Sequence, residues 1–255
     1  MIPPPRIYDL RELARSNWHA HASFSTADKA LATLRAMAAA ATSARLQTIA
    51  LVDHHRLDAD LPAMIQRAQT ALATTQLDGT ASATPLDARV GAELSAYGIG
   101  LFADSLEDNR LVPFRLYAAN HYQFPEWQHP AARTPRDYAE HMLAVLRALL
   151  PTGRADCIAH PFSHDGLSPS FPDPRAVTAA ITDNELADVL DLGRSNGVAW
   201  ELSVPACLAD PDFARRLWRL GRECGATFLL GTDAHHPSDL DPTPLLPALA
   251  TCLSG

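Results

Sequence analysis

Strand-like and helix-like segments alternate along this 255-residue chain, which predicts an α/β protein built on a mostly parallel sheet, closed or nearly closed as a barrel. Apolar runs of strand length, such as Thr48-Ile-Ala-Leu-Val52 and Phe228-Leu-Leu230, alternate with stretches such as Leu31, Leu34, Met37 and Ala38, whose apolar residues recur at helical spacing. Histidine, aspartate or glutamate repeatedly follows a strand-like run, and parallel α/β folds keep their sites at strand C-terminal ends. No internal repeat or low-complexity linker divides the chain, so one domain over residues 1–255 is the simplest organisation.

Composition narrows the function. Hydrophobic residues make up 47% of the chain and charged residues 20%, ordinary values for a soluble globular protein. No run approaches the roughly 18 apolar residues of a membrane span. The N-terminal Met-Ile-Pro-Pro-Pro-Arg lacks a secretory apolar core. A cytoplasmic protein without a membrane partner is expected. Cys157, Cys207, Cys224 and Cys252 form no C-x-x-C pair, which favours reduced, buried thiols over disulfides or a zinc knuckle. A formal charge of −8 opposes an extended nucleic-acid surface. It permits a small phosphorylated substrate, because bound metal ions reverse the local sign. No feature specifies the oligomeric state.

Taken in order, a proline-rich lead-in over 1–16 precedes the strand-like Asn17-Trp-His19-Ala-His21, whose imidazoles share a face by the period-2 rule. A helix is predicted over about 28–44, a strand at 48–52 ending in Asp53-His54-His55, and a helix over about 60–75. The Thr-, Ser-, Gly- and Pro-rich stretch 78–88 reads as a loop. Arg89 to Leu94 reads as a strand with Glu93 near its end, followed by strands at 97–103 and 114–119, the latter delivering Asn120-His121. Thr134-Pro135 marks an N-cap and first helical position, so a helix runs from about 135 to 150. Strands at 155–159 and 197–203 follow, the first ending in His160-Pro161. Asp210-Pro211 opens a helix that Gly225 closes. The strand at 228–230 runs through Gly231-Thr232 to Asp233 and His235, which the i, i+2 spacing brings together on an extended backbone. A final helix starts late because of Pro242, Pro244 and Pro247.

His19, His21, His54, Glu93, His121, His160, Asp233 and His235 thus lie at or just past strand ends. A ring of nitrogen and oxygen donors without cysteine suits zinc, manganese or iron. Six imidazoles and two carboxylates exceed what one tetrahedral ion uses, which implies two or three divalent ions sharing a carboxylate. His55 and His236 follow donors and are expected to meet solvent or substrate. His129, His141 and the loop residue His164 read as surface residues. Arg56 and Arg194 are both candidates for a phosphate clamp, and Glu201 either lines the pocket or faces a helix. No G-x-S-x-G, P-loop or G-x-G-x-x-G supports another chemistry.

The motifs His19-x-His21, Val52-Asp53-His54, Gly91-Ala-Glu93, Asn120-His121, Ile158-Ala-His160-Pro161 and Gly231-Thr-Asp233-Ala-His235 occur in this order across nearly the whole chain. Together they resemble the PHP (polymerase and histidinol phosphatase) family of metal-dependent phosphoesterases. The resemblance implies a distorted seven-stranded (β/α) barrel. It implies one ion on His19, His21, Glu93 and Asp233, a second on His121 and His160 with Glu93 bridging, and a third on His54 and His235. The nearest candidates for a further ligand are Asp28, seven residues past His21, and Thr26, five residues past it, and neither matches the common family pattern in offset and identity together. Asp53 is expected as an outer carboxylate orienting an imidazole. Glu93, Asp233, His160 and His235 are expected to act in catalysis, with a metal-bridged hydroxide attacking phosphorus. The leading expectation is hydrolysis of a small phosphomonoester such as histidinol phosphate. A nuclease or nucleotide phosphatase of the same family stands second. A non-catalytic metal-stabilised domain and an amidohydrolase sharing the metal rim are the remaining readings.

Overall fold

A computed structural model describes residues 7–77, 86–163, 166–167 and 171–254. The first six residues of the proline-rich lead-in, residues 78–85 of the expected loop, and His164 lie outside the described residues.

The alternation follows the expected order. Helix α1 (Leu10–Leu13) leads into β1 (Ser16–His21), then α2 (Ala27–Ser43), β2 (Thr48–Val52) and α3 (Leu61–Leu77). Next come β3 (Asp87–Val90), β4 (Ala92–Gly98), β5 (Leu101–Phe102), α4 (Leu106–Asn109) and β6 (Arg115–Ala118). Helix α5 (Pro135–Leu149), β7 (Cys157–Ile158), α6 (Arg175–Ala179), α7 (Asp183–Ser195) and β8 (Ala199–Ser203) follow. Helices α8 (Val204–Ala209) and α9 (Pro211–Cys224), strand β9 (Phe228–Gly231) and α10 (Leu246–Ser254) complete the order. Helix α5 starts as expected, with a capping box between Thr134 and Asp137 and proline in its first turn. Asp210 caps α9, and Gly225 ends it at φ 71°, a conformation that glycine adopts without strain. Helix α7 was not anticipated, although Thr182 and Glu185 form a capping box ahead of the buried Leu186, Val189 and Leu190.

Strands β1, β2 and β3 pair in parallel. A second sheet runs β5-β4-β6-β7-β8-β9, parallel except for the antiparallel edge strand β5. The ladders therefore do not close into a barrel, where a distorted seven-stranded barrel, closed or nearly closed, was expected. The sheets meet at two seams, each a single parallel bridge: Ala20 opposite Ala234, and His54 opposite Glu93. At the first seam β1 shifts register between Asn17 and Ala20, and Asp233 leaves β9 with φ 52°. The ladder there is reduced to His21 N–H on the Ala234 carbonyl at 2.7 Å and a longer 3.4 Å return bond. At the second seam the segment expected as one strand over 89–94 breaks at Gly91, so that β3 pairs with β2 and β4 with β6. A Cβ on Gly91 would sit 2.2 Å from the Phe114 carbonyl oxygen. Only glycine permits that approach.

The sheets carry apolar residues on both faces. Ile49, Leu51, Tyr117, Ile158, Trp200, Leu202, Phe228 and Leu230 join a large core with residues of the helices. The alternate positions Ala50, Val52, Leu116, Ala118, Cys157, Ala199 and Leu229 form a second cluster with Phe114 and Trp18. The period of 2 along each strand explains this division, and each fully buried large aliphatic side chain contributes about 1.5–3 kcal/mol. All four cysteines are free, and burial pushes the Cys157 thiol up. No helix among the described residues is long and apolar enough to cross a membrane.

The first seam depends on Asn17, which is fully buried. Its amide donates to Thr232 Oγ1 at 2.7 Å and to the Leu240 carbonyl at 2.8 Å. Its carbonyl oxygen accepts from the His19 and Thr232 N–H groups at 3.1 and 3.3 Å. Asn17→Ala leaves buried polar groups without partners and should cost about 2–3 kcal/mol in urea unfolding. Asn196→Ala, which removes one exposed bond to Leu192 O, should cost under about 1 kcal/mol. Equal losses in the two variants would show that Asn17 does not hold the seam.

Candidate metal centre

All eight donors expected from the strand ends converge, though not all in the expected way. His19 and His21, at the end of β1, bring their Nε2 atoms to 3.0 Å of each other. His54 lies two residues past β2, His121 three past β6, and His160 two past β7. Glu93 is not at a strand's C-terminal end. It is the second residue of β4, just beyond the Gly91 break, and the seam rather than a strand terminus delivers it. Asp233 and His235 converge through a turn instead of an extended backbone. Asp233 adopts φ 52°, and His235 Nδ1 lies 2.9 Å from the Asp233 carbonyl oxygen.

Glu93 stands between two sets of imidazoles. Its Oε2 lies 2.6 Å from His54 Nδ1, 3.6 Å from His21 Nε2 and 3.9 Å from His19 Nε2. Its Oε1 lies 3.0 Å from His160 Nε2 and 3.6 Å from His121 Nε2. Asp233 Oδ1 is 3.0 Å from His21 Nε2 and 3.4 Å from His19 Nε2. Three triplets have donor atoms all within 4.8 Å of one another: His19, His21 and Asp233; Glu93, His121 and His160; and His21, His54 and His235. These groups, buried or half-buried except for the exposed His54 and His235, could hold metal ions.

The donor set fits such an ion in a way that hydrogen bonding alone does not explain. Glu93 Oε2 and Asp233 Oδ1 are buried and surrounded by ring nitrogens, yet neither is aligned to accept a hydrogen bond. Lone pairs that crowd a point without bonding to one another are the arrangement a cation needs. Two donor residues, His160 at φ 25° and Asp233 at φ 52°, occupy backbone conformations that non-glycine residues seldom adopt.

Burial opposes charge on Glu93, but His160 and His54, reinforced by His121 and His19, hold its carboxyl well below the usual range. Burial likewise opposes charge on Asp233, and His19 and His21 overcome it. Burial disfavours the His19 cation, yet Glu201 and Asp233 raise its pKa to about 10. His54 and His160 are also raised, because Glu93 outweighs their burial. Burial wins at His21, which is lowered, and at His121, lowered to about 4. Without a metal ion, protons supply the positive charge that the carboxylates require.

Two expected participants do not join the centre. Asp28 belongs to none of the converging triplets. It is exposed in the first turn of α2, where a carboxylate favours the positive end of the helix dipole. Asp53 does not orient an imidazole. Its Oδ2 accepts from the Phe24 N–H at 2.5 Å and its Oδ1 from the His54 N–H at 2.9 Å, so it ties backbone loops together.

The outer carboxylate is instead Glu201 on β8, 1% exposed. Both its oxygens lie 3.1 Å from His19 Nδ1, and Oε2 also accepts the His160 N–H. One side chain thus fixes donors from β1 and from the turn after β7. Holding the proton on His19 Nδ1 leaves Nε2 to face the centre. A charged residue at an inward position of an otherwise apolar strand, Ala199-Trp-Glu201-Leu, was the available signal. Gly231 makes room for it, since a Cβ there would lie 2.0 Å from Glu201 Oε1.

Of His129 and His141, both read as surface residues, His141 packs inside and His129 is half-buried. His141 is 8% exposed, with Nδ1 2.8 Å from the Tyr122 hydroxyl, and His129 Nδ1 lies 2.7 Å from the Tyr138 hydroxyl. They brace the segment that follows His121. Arg194 pairs with Asp191 at 2.6 Å on α7, whereas Arg56 lines a cleft with His54, Glu93 and His121. His55 lines the same cleft and is 4% exposed.

Glu201→Ala should weaken divalent-metal affinity by roughly 10–100-fold, measured by chelator competition, and Gly231→Ala should do the same by displacing Glu201. Unchanged affinity in both would remove Glu201 from the centre. The raised pKa values of His19, His54 and His160 mean that protons occupy nitrogens a metal needs. Metal affinity should therefore rise with pH from about 6 towards 10, with proton release in weakly buffered solution. A pH-independent affinity without proton release would show that these imidazoles are not ligands.

No protein-family model matches the sequence, and no curated protein does. Among solved structures, an ochratoxinase from A. niger is similar to this chain at a TM-score of 0.45 and 11% identity, over 94% of this chain and 67% of that one. That degree of likeness says nothing about the reaction.

Proposed function

We propose that this chain is a metal-dependent phosphoesterase of PHP type that hydrolyses a small phosphomonoester, with histidinol phosphate as the first substrate to test. The observation that carries this reading is Glu93, whose Oε2 faces His19, His21 and His54 while Oε1 faces His121 and His160. A buried carboxylate divided between two donor sets is suited to bridge two ions. The parallel runs β1-β2-β3 and β4-β6-β7-β8-β9, joined at the two seams, give seven members when β3 and β4, parted only by the break at Gly91, are counted as one, which favours a barrel interrupted where the donors enter.

His19, His21, Glu93 and Asp233 would hold one ion, Glu93, His121 and His160 a second, and His54 with His235 a third. Zinc, manganese or iron ions there would supply Lewis acidity to the phosphoryl oxygens and to the attacking water. The chain's own residues do the rest. Glu201 keeps the His19 ring in one tautomer, and the imidazoles keep Glu93 ionised. Arg56 has no ion pair among the described residues and lines the cleft beside the donors, which suits it to pair with a phosphoryl oxygen. In the overall reaction the oxygen of water joins phosphorus as the ester oxygen departs. The proton that water loses balances the one the alcohol gains.

The metal-loaded protein should hydrolyse small phosphomonoesters with higher kcat/KM than oligonucleotides of matched phosphate chemistry, and turnover should depend weakly on salt. Glu93→Ala should lower activity by roughly 100-fold or more and remove metal while retaining the circular dichroism of the parent. Arg194→Ala should change neither. Strongly salt-dependent degradation of single-stranded nucleic acid would select the nuclease reading instead, and absence of any phosphoester turnover would defeat both.

A further inference from the structure

The imidazoles of His121 and His160 come from segments that lie beyond the paired part of the sheet. Strands β6 and β7 match Leu116 with Cys157 and Tyr117 with Ile158, and the Ala159 N–H on the Tyr117 carbonyl follows at 2.8 Å. His121 and His160 stand past these bonds, yet their Nε2 atoms are 3.4 Å apart. Two nitrogens on one tetrahedral zinc, each at about 2.0–2.1 Å from it, stand roughly 3.3–3.4 Å from each other. Glu93 Oε1, 3.0 Å from His160 Nε2 and 3.6 Å from His121 Nε2, completes a triangle of nearly that size. The spacing suits a single ion.

That spacing depends on a backbone that does not hold itself. His160 has φ 25° and Phe162 φ 61°, conformations that persist in non-glycine residues only where the surroundings enforce them. At His160 the N–H donates to Glu201, and the carbonyl accepts from the Ser163 N–H at 2.9 Å. A further restraint comes from Asn120, which is 2% exposed. Its Nδ2 donates to the His160 carbonyl at 3.2 Å and to the Ser163 carbonyl at 3.3 Å. Both partners only accept, so the contact requires an amide NH2 group. A carboxylate or an alkyl group of the same shape cannot make it.

We propose that Asn120 is a positioning residue for the ion that Glu93, His121 and His160 would hold. Its amide ties the His160 turn to the residue preceding His121, and so sets the distance between the two imidazoles before an ion binds. Its NH2 group is taken up by carbonyls, so Asn120 acts through the histidines and not on the ion. This assignment rests on the metal-centre part of the proposed function and on no choice of substrate.

Zinc alone is the probe, with affinity and stoichiometry measured by chelator competition. Asn120→Leu keeps the side-chain volume and removes the donors. It should weaken one zinc equivalent by roughly 10–100-fold, the range for residues that orient metal ligands, and leave the others unchanged. Asn109→Ala is the control. Asn109 is similarly buried and donates to the Arg154 carbonyl at 3.2 Å, but belongs to none of the donor triplets. Its loss should lower Tm and leave every zinc equivalent as it was. His121→Ala identifies the equivalent concerned: in that background Asn120→Leu should cause no further loss of zinc, whereas a general loss of structure would weaken the ions that remain. If Asn120→Leu does not fold, Asn120→Ser, whose single hydroxyl proton can serve only one of the two carbonyls, decides by the same comparison. Equal zinc binding by the parent and the Asn120 variant, or a loss shared by every equivalent, would overturn the assignment. A parent protein that binds no zinc would defeat the metal centre and the Asn120 assignment with it. The expected zinc results without phosphoester turnover would uphold Asn120 and defeat the phosphoesterase reading alone.

Discussion

A carboxylate buried to 2% exposure stays ionised only when positive charge faces it, because desolvation otherwise costs several kcal/mol. Glu93 meets that condition on both oxygens, and much of this structure follows from it. His54 and His160 are held close enough to keep their protons in the absence of a metal ion, and Asp233 stands in the same field. The centre is therefore organised around a deficit of positive charge. Protons can fill it, and divalent ions would fill it better by replacing several protons at once.

The irregular backbone lies where this charge is assembled. Both seams interrupt the hydrogen-bond ladders at donor residues: Ala20 and Ala234 flank His19, His21, Asp233 and His235, and His54 bridges directly to Glu93. A regular ladder would direct alternate side chains to opposite faces. The register shift in β1, the break at Gly91 and the left-handed turn at Asp233 let consecutive elements aim donors at one volume. Strain of order 1–3 kcal/mol per such residue is offset by the bonds that brace the seams. The buried Asn17 amide holds the first seam, and Glu201 ties β8 to the donors on both sides.

Supporting side chains reach the centre from unexpected places. Buried Tyr122, His141 and Tyr138, with half-buried His129, form a hydrogen-bonded set under the segment after His121. Burial pushes the Tyr122 phenol up, so it stays protonated and donates to His141. That packing orients Phe124 and Trp127 towards the cleft as well as His121 towards Glu93. The centre and the cleft therefore share one foundation.

Residue type and local spacing alone determined the α/β alternation, most helix and strand positions, and the eight donor residues, because periodicity and N-cap chemistry act over a few residues. Strand β2 and the ends of α5 and α9 are legible for that reason, and the Thr182–Glu185 capping box is the local signal of α7. Tertiary structure alone decided the rest. It separated the strands into two sheets with bridged seams, moved Glu93 from a strand end to a seam, and gave the outer-carboxylate role to Glu201 in place of Asp53. It left Asp28 on a helix surface, set Arg56 but not Arg194 beside the donors, buried His55 and His141, and half-buried His129. Each of these depends on which residues distant in sequence approach one another. The Gly231–Glu201 and Gly91–Phe114 contacts are set by backbones tens of residues apart, and no local pattern encodes them.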